Sequence, residues 1–160
     1  MRELFRLMKK LLGILVLGLL ITSTSSSNEL IPLKKYLDDH PISDTAAGEA
    51  PTVIYLTIRC SGLNLFYASI MKEKSPELSA KFHDLAGEFA YAAAKLDSKT
   101  SNRSINESQK NMIEAAMKFS KSYIKDGKDN WIKTGSYFEG SYIEKDDEIC
   151  KQAEKNIKNL

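Results

Sequence analysis

The sequence predicts an all-α chain, four-helix-bundle-like, with a short extra N-terminal helix. Three observations carry that expectation. Apolar residues recur at three- and four-residue spacing through four long segments of about 18 to 22 residues. Two of these segments open on helix-capping residues. A single pair of cysteines, Cys60 and Cys150, falls on the apolar stripes of the first and last long segments.

The chain has 160 residues, of which 42% are hydrophobic and 28% charged. That length suits one domain, and the composition is that of an ordinary globular chain rather than a disordered one. Residues 1–27 read as a secretory signal peptide: Arg2, Arg6, Lys9 and Lys10, then the uncharged run Leu11 to Ile21, then the small residues Thr22 to Ser27. The apolar run is short of the about 20 residues a spanning helix needs. Cleavage is expected between Ser25 and Asn28, leaving residues 28–160 as one helical domain. No cysteine lies in the leader, so the chain is not expected to be a lipoprotein or to keep a stable membrane anchor.

Removing the leader changes the charge. The net +2 of the whole sequence loses four basic residues and one acidic one, so 19 basic and 20 acidic residues remain. A near-neutral chain with no basic block has no stripe with which to displace counterions from phosphates, so nucleic acid is not an expected partner.

The elements follow in order. Leu30, Ile31, Leu33, Tyr36 and Leu37 predict a short amphipathic helix within 29–39, stopped by His40-Pro41. Ile42 to Pro51 reads as a loop. From Thr52 to Lys74, Val53, Leu56, Cys60, Leu63, Tyr67 and Ile70 form a helical stripe, with Ile54, Ile58, Leu65 and Phe66 on other faces. The rival reading is a strand over Val53 to Ile58, for which Ser136 to Ile143 is the candidate partner; the long stripe favours helix.

The second long helix opens on Ser75-Pro76-Glu77 and sets Leu78, Phe82, Leu85, Phe89, Ala93 and Leu96 on one face. Its small residues Ala86, Gly87, Ala90, Ala92 and Ala94 let a neighbour approach closely, and residues 97–104 form the exit turn. The third begins at the capping box Ser104-x-x-Glu107 and is expected to end at Asp126-Gly127, with Gly127 supplying left-handed geometry. The fourth spans Ile143 to Leu160, with Ile149, Cys150, Ala153, Ile157 and Leu160 on its stripe. Asp146, Asp147 and Glu148 sit toward its positive end.

In an exported chain two cysteines most simply form one disulfide. Cys60–Cys150 would tie the first and last long helices. No Cys-x-x-Cys is present, which argues against a thioredoxin-like redox centre.

Little else points to chemistry. The connection Lys128 to Tyr142 carries Trp131, Tyr137, Phe138 and Tyr142 and is the candidate interaction surface, since such rings give large contact area at small entropic cost. The plainer alternative is that they cap one end of the core. His83 lacks a second ligand at metal spacing, and His40 reads as a loop residue. Met71, Met112 and Met117 would be haem ligands opposite His83 only in a minority design; core filling is the simpler role. Asp126 to Asn130 fails the calcium-loop pattern because Lys128 takes a ligand position. Asn102-x-Ser104 and Asn106-x-Ser108 are glycosylation acceptors by pattern alone. No catalytic residue, metal site or cofactor is expected. The reading is a secreted or periplasmic binding module (inhibitor, immunity or chaperone-like), with a small-molecule or cofactor carrier as alternative.

Overall fold

The computed structural model describes residues 30–42 and 46–157. The expected signal peptide and Leu160 lie outside the described residues. Five helices are present and no strand occurs among the described residues: α1 (Leu33–Asp39), α2 (Ala46–Met71), α3 (Pro76–Thr100), α4 (Ile105–Thr134) and α5 (Tyr142–Ile157). Val53 to Ile58 is helical, as its stripe predicted.

The central element is α2. It packs most extensively along α3 and α4, and more lightly on α5 and α1. By length and composition, Ala50–Met71 is also enough to cross a membrane; here most of it is buried among the other helices. Its buried side chains include Cys60, Leu63, Phe66 and Tyr67, which meet Phe89 from α3, Tyr123 from α4, and Ile143, Cys150 and Ala153 from α5. A second cluster joins Ile58 to Ala93, Ala94, Met112 and Ala116. Small residues set the spacing: a Cβ added at Gly62 would stand 2.6 Å from Phe119 Cβ and 2.8 Å from the Ala116 carbonyl, so α2 and α4 meet nearly backbone to backbone. The Cys60–Cys150 disulfide is formed, with a Cα–Cα distance of 5.3 Å, and fastens α5 to the centre of α2.

Two boundaries differ from the sequence reading. The loop expected over Ile42 to Pro51 gives way to helix from Ala46 onward, and Pro51 lies inside α2. Alanine and glutamate favour helix, and a proline in the second turn removes only one backbone bond near a helix end. The second correction matters more. Helix α4 does not stop at Gly127 but runs to Thr134. Gly127 is a buried helical residue whose missing Cβ makes room for Phe66, two ring atoms of which would stand 3.0 Å from that Cβ. A Lys125–Asp129 ion pair carries the helix through this region. The left-handed cap is Gly135 (φ 78°), whose N–H donates to the Trp131 carbonyl. The expected connection of Lys128 to Tyr142 therefore shrinks to Gly135 through Ser141.

Side-chain caps open α4 and α5, whereas Ser75 at the start of α3 makes no side-chain cap bond. Ser104 Oγ accepts from Glu107 N–H at the start of α4. Ser141 Oγ accepts from Ile143 N–H at the start of α5, and Glu144 reaches back to the N–H of Gly140. The latter is a Ser-x-x-Glu pattern that moves the start of α5 to Tyr142.

Candidate functional site

Two features stand out from the packing: a buried polar cluster in the core, and an aromatic end with pockets beside it. Arg59 is the only charged residue between Glu49 and Lys72. A guanidinium at the centre of an apolar helix must find its counter-charge inside the protein. It finds it in Asp146, and both side chains are fully buried. The remaining Arg59 donors are spent on the Tyr123 hydroxyl (3.0 Å), the Tyr55 hydroxyl (3.2 Å) and the Ile31 carbonyl (2.9 Å).

Asp146 is equally occupied. Oδ2 accepts from Arg59 and from the Tyr123 hydroxyl (2.6 Å), while Oδ1 accepts the N–H of Leu33 at 2.8 Å. That last bond places a carboxylate on the first amide of α1, where helix geometry leaves an amide unpaired. Asp146 thus belongs to the α1–α2 junction more than to the positive end of its own helix. Burial opposes the Arg59 charge, but Tyr123, Asp146 and Tyr55 around it outweigh that and hold its pKa above the usual value. Burial pushes the Tyr123 phenol up, and Asp146 beside it adds to the effect. No buried side-chain polar atom lacks a partner among the described residues. With each buried polar atom partnered, the cluster holds the N-terminal segment, α2, α4 and α5 together.

The aromatic residues singled out by sequence divide into two groups. Trp131, near the end of α4, is 46% exposed and lies against Tyr137 from the loop, with ring centroids 4.8 Å apart. Tyr137 in turn meets Phe66 edge-on. Phe138 is exposed along one side and meets Tyr67 edge-on. Tyr142 belongs with the core: its ring stacks near Tyr123, and its hydroxyl donates to Asp126 Oδ2 at 2.6 Å. Burial, then that bond to Asp126, raises its pKa. Ile132, next to Trp131, is 82% exposed and was not singled out by sequence, because a lone isoleucine at the end of a helix carries no motif.

The loop itself is braced. Asn130 donates to the carbonyls of Ser136 (2.9 Å) and Glu139 (3.1 Å), so Tyr137 and Phe138 are displayed on a tied segment.

Two pockets accompany these features. One, of about 470 Å³, opens between the C-terminal parts of α2 and α4 and is bounded by Tyr137. The other, of about 420 Å³, runs between α3 and α4 over Ser61 and Leu65, with Ile113 on its wall. His83, Asp84 and Glu88 line this second pocket. His83 is exposed, and no group of three or more His, Cys, Asp or Glu side chains is placed to hold a metal among the described residues. Met112 is buried in the core, while Met117 is half exposed on α4. Asp126 to Asn130 lies within α4. His40 caps α1, stacked on Tyr36, and its Nδ1 lies 3.0 Å from the Tyr36 carbonyl.

Comparison of the chain with protein-family models, with curated proteins and with solved structures returns no match.

Proposed function

We propose that this chain is an exported binding module: a four-helix-bundle-like scaffold that recognises a partner protein through the aromatic end and has no catalytic centre of its own. In this reading residues 1–27 are a cleaved leader and the working protein is secreted or periplasmic, acting as an inhibitor, immunity or chaperone-like protein. One observation carries it. Trp131 and Ile132, a large aromatic and a large aliphatic side chain, stand exposed side by side at the end of a helix braced by Tyr137 and the Asn130-tied loop. Exposed apolar side chains gathered on a rigid support are what interfaces use as anchors. The disulfide supports the export reading, since such bridges persist in oxidising compartments.

The test is a paired capture. Wild-type chain and a Trp131→Ala/Ile132→Ser variant are each presented to the exported proteins of the source organism, and retained proteins are quantified by mass spectrometry. The expected result is a partner retained by the wild type and lost from the variant, with identical thermal melting of the two baits. Identical retention by both baits would remove the aromatic end from the interface.

A small-molecule carrier is the second reading, favoured by the pocket between α2 and α4. Native mass spectrometry of the protein from its own host tests it; a ligand-free mass counts against it.

A further inference from the structure

We infer that the pocket between the C-terminal parts of α2 and α4 takes an anionic amphiphile, a single apolar chain bearing a carboxylate or phosphate head. The inference rests on the carrier reading and names its ligand class. The floor is apolar: Phe66 and Ile70 from α2, Ile124 from α4 and Tyr137 from the α4–α5 loop. Three lysines stand at its rim, Lys72 and Lys74 from the α2–α3 turn and Lys128 from α4, against the one acid Glu73. None of the three ammonium groups makes an ion pair or hydrogen bond among the described residues. Lysine ammoniums left without counter-ions over a low-dielectric floor concentrate positive potential at the mouth. A volume of about 470 Å³ lies in the range of small-molecule sites.

Each feature narrows the ligand. The lysines select an anionic head. The floor selects an apolar body, which inorganic phosphate lacks. The concave shape selects one enclosed chain over a flat bilayer. Along α4, Trp131 and Ile132 follow Lys128 by three and four residues and so share its face. A chain longer than the pocket would run out across these two exposed side chains, which gives Ile132 a partner it otherwise lacks.

Trp131 is the only tryptophan in the sequence, so its emission reports on this end of the molecule alone. The full chain is titrated with dodecanoate below its micelle concentration, with neutral dodecanol, with inorganic phosphate and with phosphatidylglycerol vesicles. A saturable blue shift with dodecanoate is expected, weaker with dodecanol and absent with phosphate. Lys72→Gln, Lys74→Gln and Lys128→Gln together weaken it by about tenfold or more. These lysines are exposed, so the triple variant keeps its fold, checked by its far-ultraviolet circular dichroism.

Three outcomes overturn the proposal. Equal response to dodecanoate and dodecanol removes the anionic head while leaving the carrier reading standing. A shift with vesicles alone makes this end a membrane-docking surface. No saturable shift with any amphiphile overturns the ligand class, and a ligand-free native mass then removes the carrier reading as well.

Discussion

Asp146 accepts the backbone N–H of Leu33 across 113 residues of sequence, at 2.8 Å, with the oxygen that Arg59 does not use. One carboxylate therefore caps α1 and neutralises the only charge in the central part of α2. The disulfide lies one residue beyond Arg59 on α2 and four beyond Asp146 on α5, so covalent and ionic fastenings occupy adjacent turns. The N-terminal segment, α2, α4 and α5 all meet at this point.

Removing one member of that pair is expected to cost far more than removing both. Asp146→Ala leaves a buried guanidinium without its counter-charge, a change that typically costs about 3–5 kcal/mol. Replacing both, as in Arg59→Met/Asp146→Leu, is expected to be much closer to neutral, because no desolvated charge is stranded. Urea denaturation of the three proteins checks this. Hydrogen exchange adds a local readout: in Asp146→Ala the Leu33 amide loses its acceptor and exchanges faster than amides in α3.

The disulfide closes a loop over a separation of 90 residues. Chain-entropy reasoning assigns about 4–5 kcal/mol to a loop of that length. Cys60→Ser/Cys150→Ser is expected to lose a stability of that order in urea. Both half-cystines are buried, so reductant is expected to act on the native protein only as fast as it opens. The measurement is mass spectrometry after alkylation, with and without mild denaturant; rapid reduction under native conditions would contradict the buried placement.

Much of this architecture was legible in the sequence, and the misses share a cause. The helical stripes follow from spacing, which is local information, and the cysteine pairing from there being two cysteines in a chain read as exported. Arg59 carried a usable signal as the one charge in a long apolar helix, but its partner is an Asp that also suits a helix N-terminus. In the sequence Gly127 resembles a helix stop, because absence of a Cβ serves both left-handed caps and close approach; only the position of Phe66, on another helix, decides between them. The three pocket lysines form no run in the sequence, because a turn supplies two and a distant helix the third. The aromatic end was visible as a cluster, yet Tyr142 could not be separated from Trp131 without knowing that Asp126 receives its hydroxyl.

Glycine substitutions are expected to have opposite effects at two positions. At Gly62 an added Cβ would meet Phe119 Cβ at 2.6 Å and the Ala116 carbonyl at 2.8 Å, so α2 and α4 must move apart. Gly62→Ala is expected to cost about 1–3 kcal/mol despite the better helix propensity of alanine. At Gly87 nothing lies within 4 Å of the added atom. Gly87→Ala is therefore expected to stabilise the protein by about 0.5–1 kcal/mol. Thermal melting of both variants tests the pair; a gain at Gly62 would mean the two helices are not in such close contact.

The buried tyrosines predict how stability falls at high pH. Burial, with Asp147 beside Tyr67, Asp146 beside Tyr123 and Asp126 beside Tyr142, holds all three phenols above their ordinary value of 10.0 in the fold. In the unfolded chain they ionise near that value. Above pH of about 10 the unfolded state therefore binds fewer protons than the native state, and stability declines as pH rises. Below that pH both states keep the phenols protonated and these groups contribute no pH dependence. The check is a titration followed by phenolate absorbance and circular dichroism together. Tyr67, Tyr123 and Tyr142 are expected to ionise together in one steep step that coincides with loss of helical circular dichroism. A smooth titration of these three with the helices intact would show that solvent reaches the Arg59–Asp146 cluster in the native state.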